Sequence, residues 1–80
     1  RGIYAKVDIE LGTVINHKNF DDLFYLAIPL QKGQLSCREI FNGETLTKSI
    51  SKDSQLTIND VDGIYSTDPA LREKIKNRGI

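Results

Sequence analysis

Arg1-Gly2-Ile3-Tyr4-Ala5-Lys6-Val7-Asp8-Ile9-Glu10-Leu11-Gly12-Thr13-Val14-Ile15 is the stretch on which the fold turns. Ile3, Ala5 and Val7 alternate, which predicts a short strand with one buried face. Gly12 marks a turn. The β-branched run Thr13-Val14-Ile15 then predicts a second strand. The same grammar returns forty-one residues later: Ile9-x-x-Gly12-x-x-Ile15 is matched by Ile50-x-x-Asp53-x-x-Leu56. Asp, like Gly, tolerates turn geometry. A duplicated half would give a compact β-fold with pseudo-two-fold symmetry; chance recurrence of a common strand–turn–strand unit gives the same letters.

Working outward, Asn16 can cap a single helical turn through Phe20, a stretch too short to hold without burying Phe20. Leu23–Ile28 is the most apolar stretch and predicts a strand ending before Pro29. Residues 30–34, Leu-Gln-Lys-Gly-Gln, form a polar loop. Ser36 and Glu39 have capping-box spacing, so a short helix should run from Cys37 to about Phe41, closed by Asn42-Gly43. Thr45–Ile50 and Leu56–Ile58 predict strands, with a turn at Lys52-Asp53. Asp68-Pro69 then opens a helix of about residues 69–78, with Gly79 beyond its end. Leu71 and Ile75 share one face of it.

Composition narrows the function classes. Eighty residues make one domain, and eleven Lys and Arg balance eleven Asp and Glu. A nucleic-acid domain carries a basic excess, so that class is disfavoured, as is a polybasic membrane-surface domain. No apolar run is long enough to span a bilayer. One cysteine cannot form an internal disulfide. The zero net charge is uneven: residues 1–71 carry seven basic and ten acidic side chains, whereas residues 72–80 carry Arg72, Lys74, Lys76 and Arg78 against Glu73. That basic end is either a docking element for an acidic surface or a solvated helix terminus with favourable dipole placement. Arg1 in place of an initiating Met reads as a piece cut from a longer chain.

The opening segment resembles the start of an SAF domain, the antifreeze-like domain that closes bacterial sialic acid synthases. That start typically reads Arg-Ser-Ile/Leu-x-Ala, then Asp-Ile-x-x-Gly-x-x-Ile/Leu. Lys48-Ser49-Ile50-Ser51-Lys52-Asp53-Ser54-Gln55-Leu56 resembles the family's closing segment, and Ser36–Gly43 its intervening helix and glycine. The likeness covers residues 1–61; residues 62–80 extend past it. It implies a mostly β fold with short helices, the β-clip of type III antifreeze proteins, with pseudo-two-fold symmetry and here a C-terminal helix. It further implies a non-catalytic, cytoplasmic accessory domain. In such synthases a (β/α)8 barrel holds a divalent metal and condenses phosphoenolpyruvate with N-acetylmannosamine or a related sugar. The SAF domain covers the partner barrel's active site across a homodimer, so the implied partners are that barrel and its sugar. The domain itself holds no cofactor.

An arginine in an Arg-Pro-Gly-x-Gly loop contacts the sugar in that family. Here Ile28 takes its place, and the loop Ile28-Pro29-Leu30-Gln31-Lys32-Gly33-Gln34-Leu35-Ser36 is about two residues longer. The candidate sugar contacts are therefore Lys32 and Arg38, with Gln31 and Gln34, as donors to a carboxylate, phosphate or amide. Ordinary exposed polarity is the competing reading of all four.

Elsewhere the chemistry is sparse. His17 and Cys37 are single, and no ligand spacing for a metal occurs. His17 reads as a surface cap. Cys37 reads as a packed thiol, although Arg38 beside it at a helix start could activate it. Asp21-Asp22, and Asp60 with Asp62, read as solvated turns rather than paired catalytic carboxylates. Two rival functions remain: a free-standing antifreeze-like or carbohydrate-binding module, and an SAF domain of another protein, such as altronate dehydratase or a pilus or flagellar assembly factor.

Overall fold

A computed structural model describes all residues 1–80. Two small antiparallel sheets carry the fold. Strand β1 (Gly2–Ala5) pairs with β2 (Phe24–Ala27), and β3 (Thr45–Leu46) pairs with β4 (Val61–Asp62). Short helices fill the connections: α1 (Phe20–Leu23), two 3-10 turns at Cys37–Glu39 and Ile58–Asp60, α2 (Ile64–Thr67) and α3 (Pro69–Lys76). Fourteen buried apolar residues form one core, including Ile3, Ile15, Phe24, Leu35, Leu46, Leu56 and Ile58.

Most of the holding is done by single backbone bonds between extended segments, and a central set of these bonds is paired by the 41-residue offset. Ala5 N–H donates to Ser54 O, and Leu46 N–H to Thr13 O, both at 2.9 Å. Asp53 N–H donates to Ala5 O and Gly12 N–H to Leu46 O. Leu56 N–H donates to Ile3 O and Ile15 N–H to Glu44 O. Ile9 and Ile50 exchange both bonds with each other, at 2.8 and 2.9 Å. Each bond maps onto its mate when the two halves are swapped. The turn residues correspond as well: Gly12 has φ 90° and Asp53 φ 67°, the only non-glycine residue in the left-handed region. Asn16 with Asn19 forms the same backbone-to-side-chain cap as Thr57 with Asp60. Beyond these caps the offset drops to 37, because Ala5 faces Phe24 whereas Leu46 faces Val61. The four residues of α1 make up the difference.

Several expected strands are shorter than their side-chain patterns. Val7 does not share the face of Ile3 and Ala5; β1 ends at Ala5, and Val7 is exposed. Thr13–Ile15 makes only a bridge between Val14 and Thr45, and Val14 is exposed. Thr45–Ile50 reduces to the two residues of β3 and the separate Ile9–Ile50 bridge. Leu56–Ile58 is not a strand: Thr57 caps the 3-10 turn that Ile58 begins. Alternating burial arises in any extended segment; a ladder also needs a continuous partner, and here partners change every two or three residues.

The helical expectations hold with trimmed ends. The turn capped by Asn16 spans 17–19 and leads into α1, with Phe20 buried. The Ser36–Glu39 box forms as read, but its helix stops at Glu39 and is 3-10. Asp68 caps α3 by accepting from Ala70 and Leu71 N–H, and the helix ends at Lys76.

Residues 62–80 are packed onto the rest. The position-61 boundary falls inside β4, and Ile75 of α3 lies in the core at 4% exposure. After α3 the chain runs along the 30–33 loop: Ile80 N–H donates to Leu30 O, Lys32 N–H to Ile80 O, and Gly33 N–H to Arg78 O. Gly79 permits this with φ 94°; a Cβ there would sit 2.5 Å from Gln31 O.

Candidate functional site

The four expected contacts fall in four different environments. Gln34 faces inward and is fully buried. Its Nε2 donates to Ile3 O at 2.8 Å, and its Oε1 accepts from Gln31 N–H at 2.9 Å. A side chain with both amide ends committed inside the protein is a strut, so Gln34 is withdrawn as a ligand contact. It also explains Gly2, where any Cβ would lie about 2.1 Å from Gln34 Oε1.

Gln31 lies on one side of the loop and opens onto a cleft lined by Tyr4, Asp53, Ser54 and Gln55. Tyr4 and Tyr25 sit directly opposite each other on β1 and β2, with rings stacked at 5.6 Å. Tyr25 Oη donates to Asp53 Oδ1 at 2.9 Å. That bond holds the tyrosine pKa above its usual value, since ionising it would forfeit the donor. The cleft thus joins an aromatic platform to a carboxylate, a hydroxyl and two amides. Lys32 is exposed at the loop tip.

Arg38 lies apart from that cleft. It lines a second cleft, of about 230 Å³, with Arg1, Leu30, Ser36 and Arg78. Arg78 is anchored there: Nη2 donates to Gln34 O at 3.1 Å and to Glu39 Oε1 at 2.5 Å. Glu39 is buried, which alone would raise its pKa. The Arg78 guanidinium and the Ser36 N–H and hydroxyl outweigh burial and hold the carboxyl below its usual range. The capping box seen in the sequence is therefore also an ion-pair site.

The basic end is used within the chain rather than left free for an acidic surface. Besides Arg78, Arg72 donates to Ile58 O and Asn59 Oδ1. Only Lys74 and Lys76 of its four cations remain exposed. The signal for this was the charge asymmetry itself; the partners, backbone carbonyls and a capping glutamate, carry no sequence signature.

The remaining candidates resolve individually. His17 stacks on Phe41 with ring centroids 3.9 Å apart. Cys37 is exposed rather than packed. Asp21 and Asp22 are exposed on α1. Asp60 is buried, not solvated: it accepts from Thr57 N–H and Oγ1 and lies 3.8 Å from Lys48 Nζ. Asp62 is exposed on β4. No group of three or more His, Cys, Asp or Glu is placed to hold a metal. No helix is long and apolar enough to cross a membrane. Glu44 escaped the sequence reading. It is fully buried, with Oε1 accepting from Asn42 N–H and Oε2 unpaired beside Gly63.

No protein-family model, curated protein or solved structure matches this chain.

Proposed function

We propose that this chain is an SAF-type accessory domain of a sialic acid synthase-like enzyme, folded as a β-clip. In this reading it covers the active site of a neighbouring (β/α)8 barrel across a homodimer and performs no bond chemistry of its own. The observation that carries it is the exchange pattern of backbone hydrogen bonds at an offset of 41, running through the same Ile-x-x-Gly/Asp-x-x-Ile/Leu residues that carry the family resemblance. Symmetric half-domains are what that fold requires.

The sugar-facing surface in this account is the Tyr4–Gln31–Asp53 side of the loop, with Lys32 at its tip. A sugar ring offers an apolar face and a rim of hydroxyls. An aromatic platform flanked by planar amides and a carboxylate complements both. The Ile28 position of the family arginine is exposed and apolar, so the contact passes to the neighbouring loop residues. Closing such a surface over the barrel excludes water and strengthens the electrostatics beneath it.

The test uses the full-length parent, assayed for condensation of phosphoenolpyruvate with N-acetylmannosamine. Gln31→Ala and Lys32→Ala are compared separately, with Arg38→Ala, in the separate arginine-lined cleft, as a control expected to leave the sugar KM unchanged. Loss of a binding contact raises the sugar KM about five- to tenfold with kcat held, the signature of lost uniform binding. Unchanged KM and kcat in both loop variants would remove the loop from the sugar site.

A further inference from the structure

We propose that the cleft between Arg1, Arg38 and Arg78 binds a small oxyanion, the phosphate or carboxylate group of a metabolite. Three of the chain's four arginines line it, and none of its seven lysines and no carboxylate does. Arg1 precedes β1, Arg38 sits on the first 3-10 turn and Arg78 follows α3, so three distant segments converge. The backbone beside them is tied together: Ile3 N–H donates to Leu35 O, next to the 3-10 turn, and Gly33 N–H donates to Arg78 O. Arg1 and Arg38 have no ion-pair partner. Arg78 is neutralised by Glu39 yet keeps a buried Nε with no acceptor.

Gathering like charges in one concavity is unfavourable until an anion enters it. Guanidinium forks present paired N–H donors that match the planar oxygens of carboxylate and phosphate. The Ser36 hydroxyl already donates to Glu39, so the donors available to a ligand are the guanidiniums. The cleft therefore selects for charge, and a neutral sugar has no counterpart in it. At about 230 Å³ it lies below the ~300 Å³ lower range of drug-sized pockets, which suits one oxyanion rather than a large ligand. This inference does not rest on the accessory-domain reading, which places the sugar at the Tyr4–Gln31–Asp53 cleft.

Titration of the 80-residue chain, N-acetylated so that only side chains supply charge, tests it. Inorganic phosphate and acetate are added separately at about 20 mM salt, with arginine side-chain N–H signals read by NMR. The expected result is saturable shifts at Arg38 and Arg78, weakening as salt rises to about 200 mM. Arg1→Gln and Arg38→Gln each weaken binding about fivefold or more, or roughly 1 kcal/mol. Lys18→Gln and Lys74→Gln leave it unchanged. Both arginines are unpaired, so the thermal midpoints of their variants should match the parent chain. Saturation by phosphate alone assigns a phosphate ester, and by acetate alone a carboxylate. No saturation by either, or equal binding by the Arg1→Gln/Arg38→Gln double variant, overturns the proposal.

Discussion

Glu39 shows how one side chain does several jobs. Its carboxylate closes the Ser36 capping box and receives Arg78, tying the first 3-10 turn to the chain end. Because its pKa in the folded chain is lowered, its contribution is complete above the ordinary carboxylate range and is lost as pH falls through the folded value. Thermal or urea unfolding between pH 7 and pH 3 should show a loss of stability toward the acid end that Glu39→Gln removes. Gly2 is a second such point. Its Cβ position is occupied by Gln34, which is itself pinned by two hydrogen bonds. Gly2→Ala should destabilise by about 2 kcal/mol or more in urea unfolding, since a strut rather than a flexible tip must move. Asp53 carries the left-handed turn that Gly12 carries in the other half. Asp53→Val should cost roughly 1–2 kcal/mol, and Asp53→Gly much less, when compared by the same unfolding measurement.

The element that most changes the picture is the segment after α3. Removing Arg78–Ile80 deletes three backbone bonds to the 30–33 loop and the Glu39 ion pair. Hydrogen exchange at the Lys32 and Gly33 amides should then approach free-loop rates, while the amides of β1 and β2 remain protected. Preserved protection at Lys32 and Gly33 would show that the chain end does not hold the loop. This docking was not legible in the sequence. Caps and turns were, because their chemistry is local: Ser36 with Glu39, Asp68-Pro69, Gly12, Gly43 and Asp53 all act within a few residues. Strand lengths were not, because Thr13–Ile15 and Leu56–Ile58 have strand-like composition but find single partners from different segments. The candidate site divided the same way. The sequence offers Gln31, Lys32, Gln34 and Arg38 as the donors nearest the family arginine's position. The sequence could not show that Gln31 and Arg38 line separate clefts, that Arg1 and Arg78 join Arg38, or that Gln34 and Glu44 turn inward; those depend on which distant backbone each one meets.

At the scale of the whole molecule, the two-fold exchange of hydrogen bonds explains how eighty residues hold a core. Neither half has a sheet that could stand alone, since isolated two-stranded units are marginal in water. Each half supplies the bonds the other lacks, across the Ile9–Ile50 contact. The mates should therefore open together, so amide exchange at Gly12 and Asp53, and at Ile15 and Leu56, should be matched in pairs and reach the global unfolding limit. A chain built this way presents loops on a stiff frame, which is what a cover for another active site needs. The direct test of the proposed accessory role is turnover by a synthase-like parent carrying this chain against the same parent lacking these eighty residues, with the remaining domain's fold checked by circular dichroism. The account predicts a loss of about a hundredfold or more in condensation of phosphoenolpyruvate with N-acetylmannosamine, as expected when a positioned, water-excluding cover is removed. Unaltered turnover and sugar KM from a folded, truncated parent would contradict it.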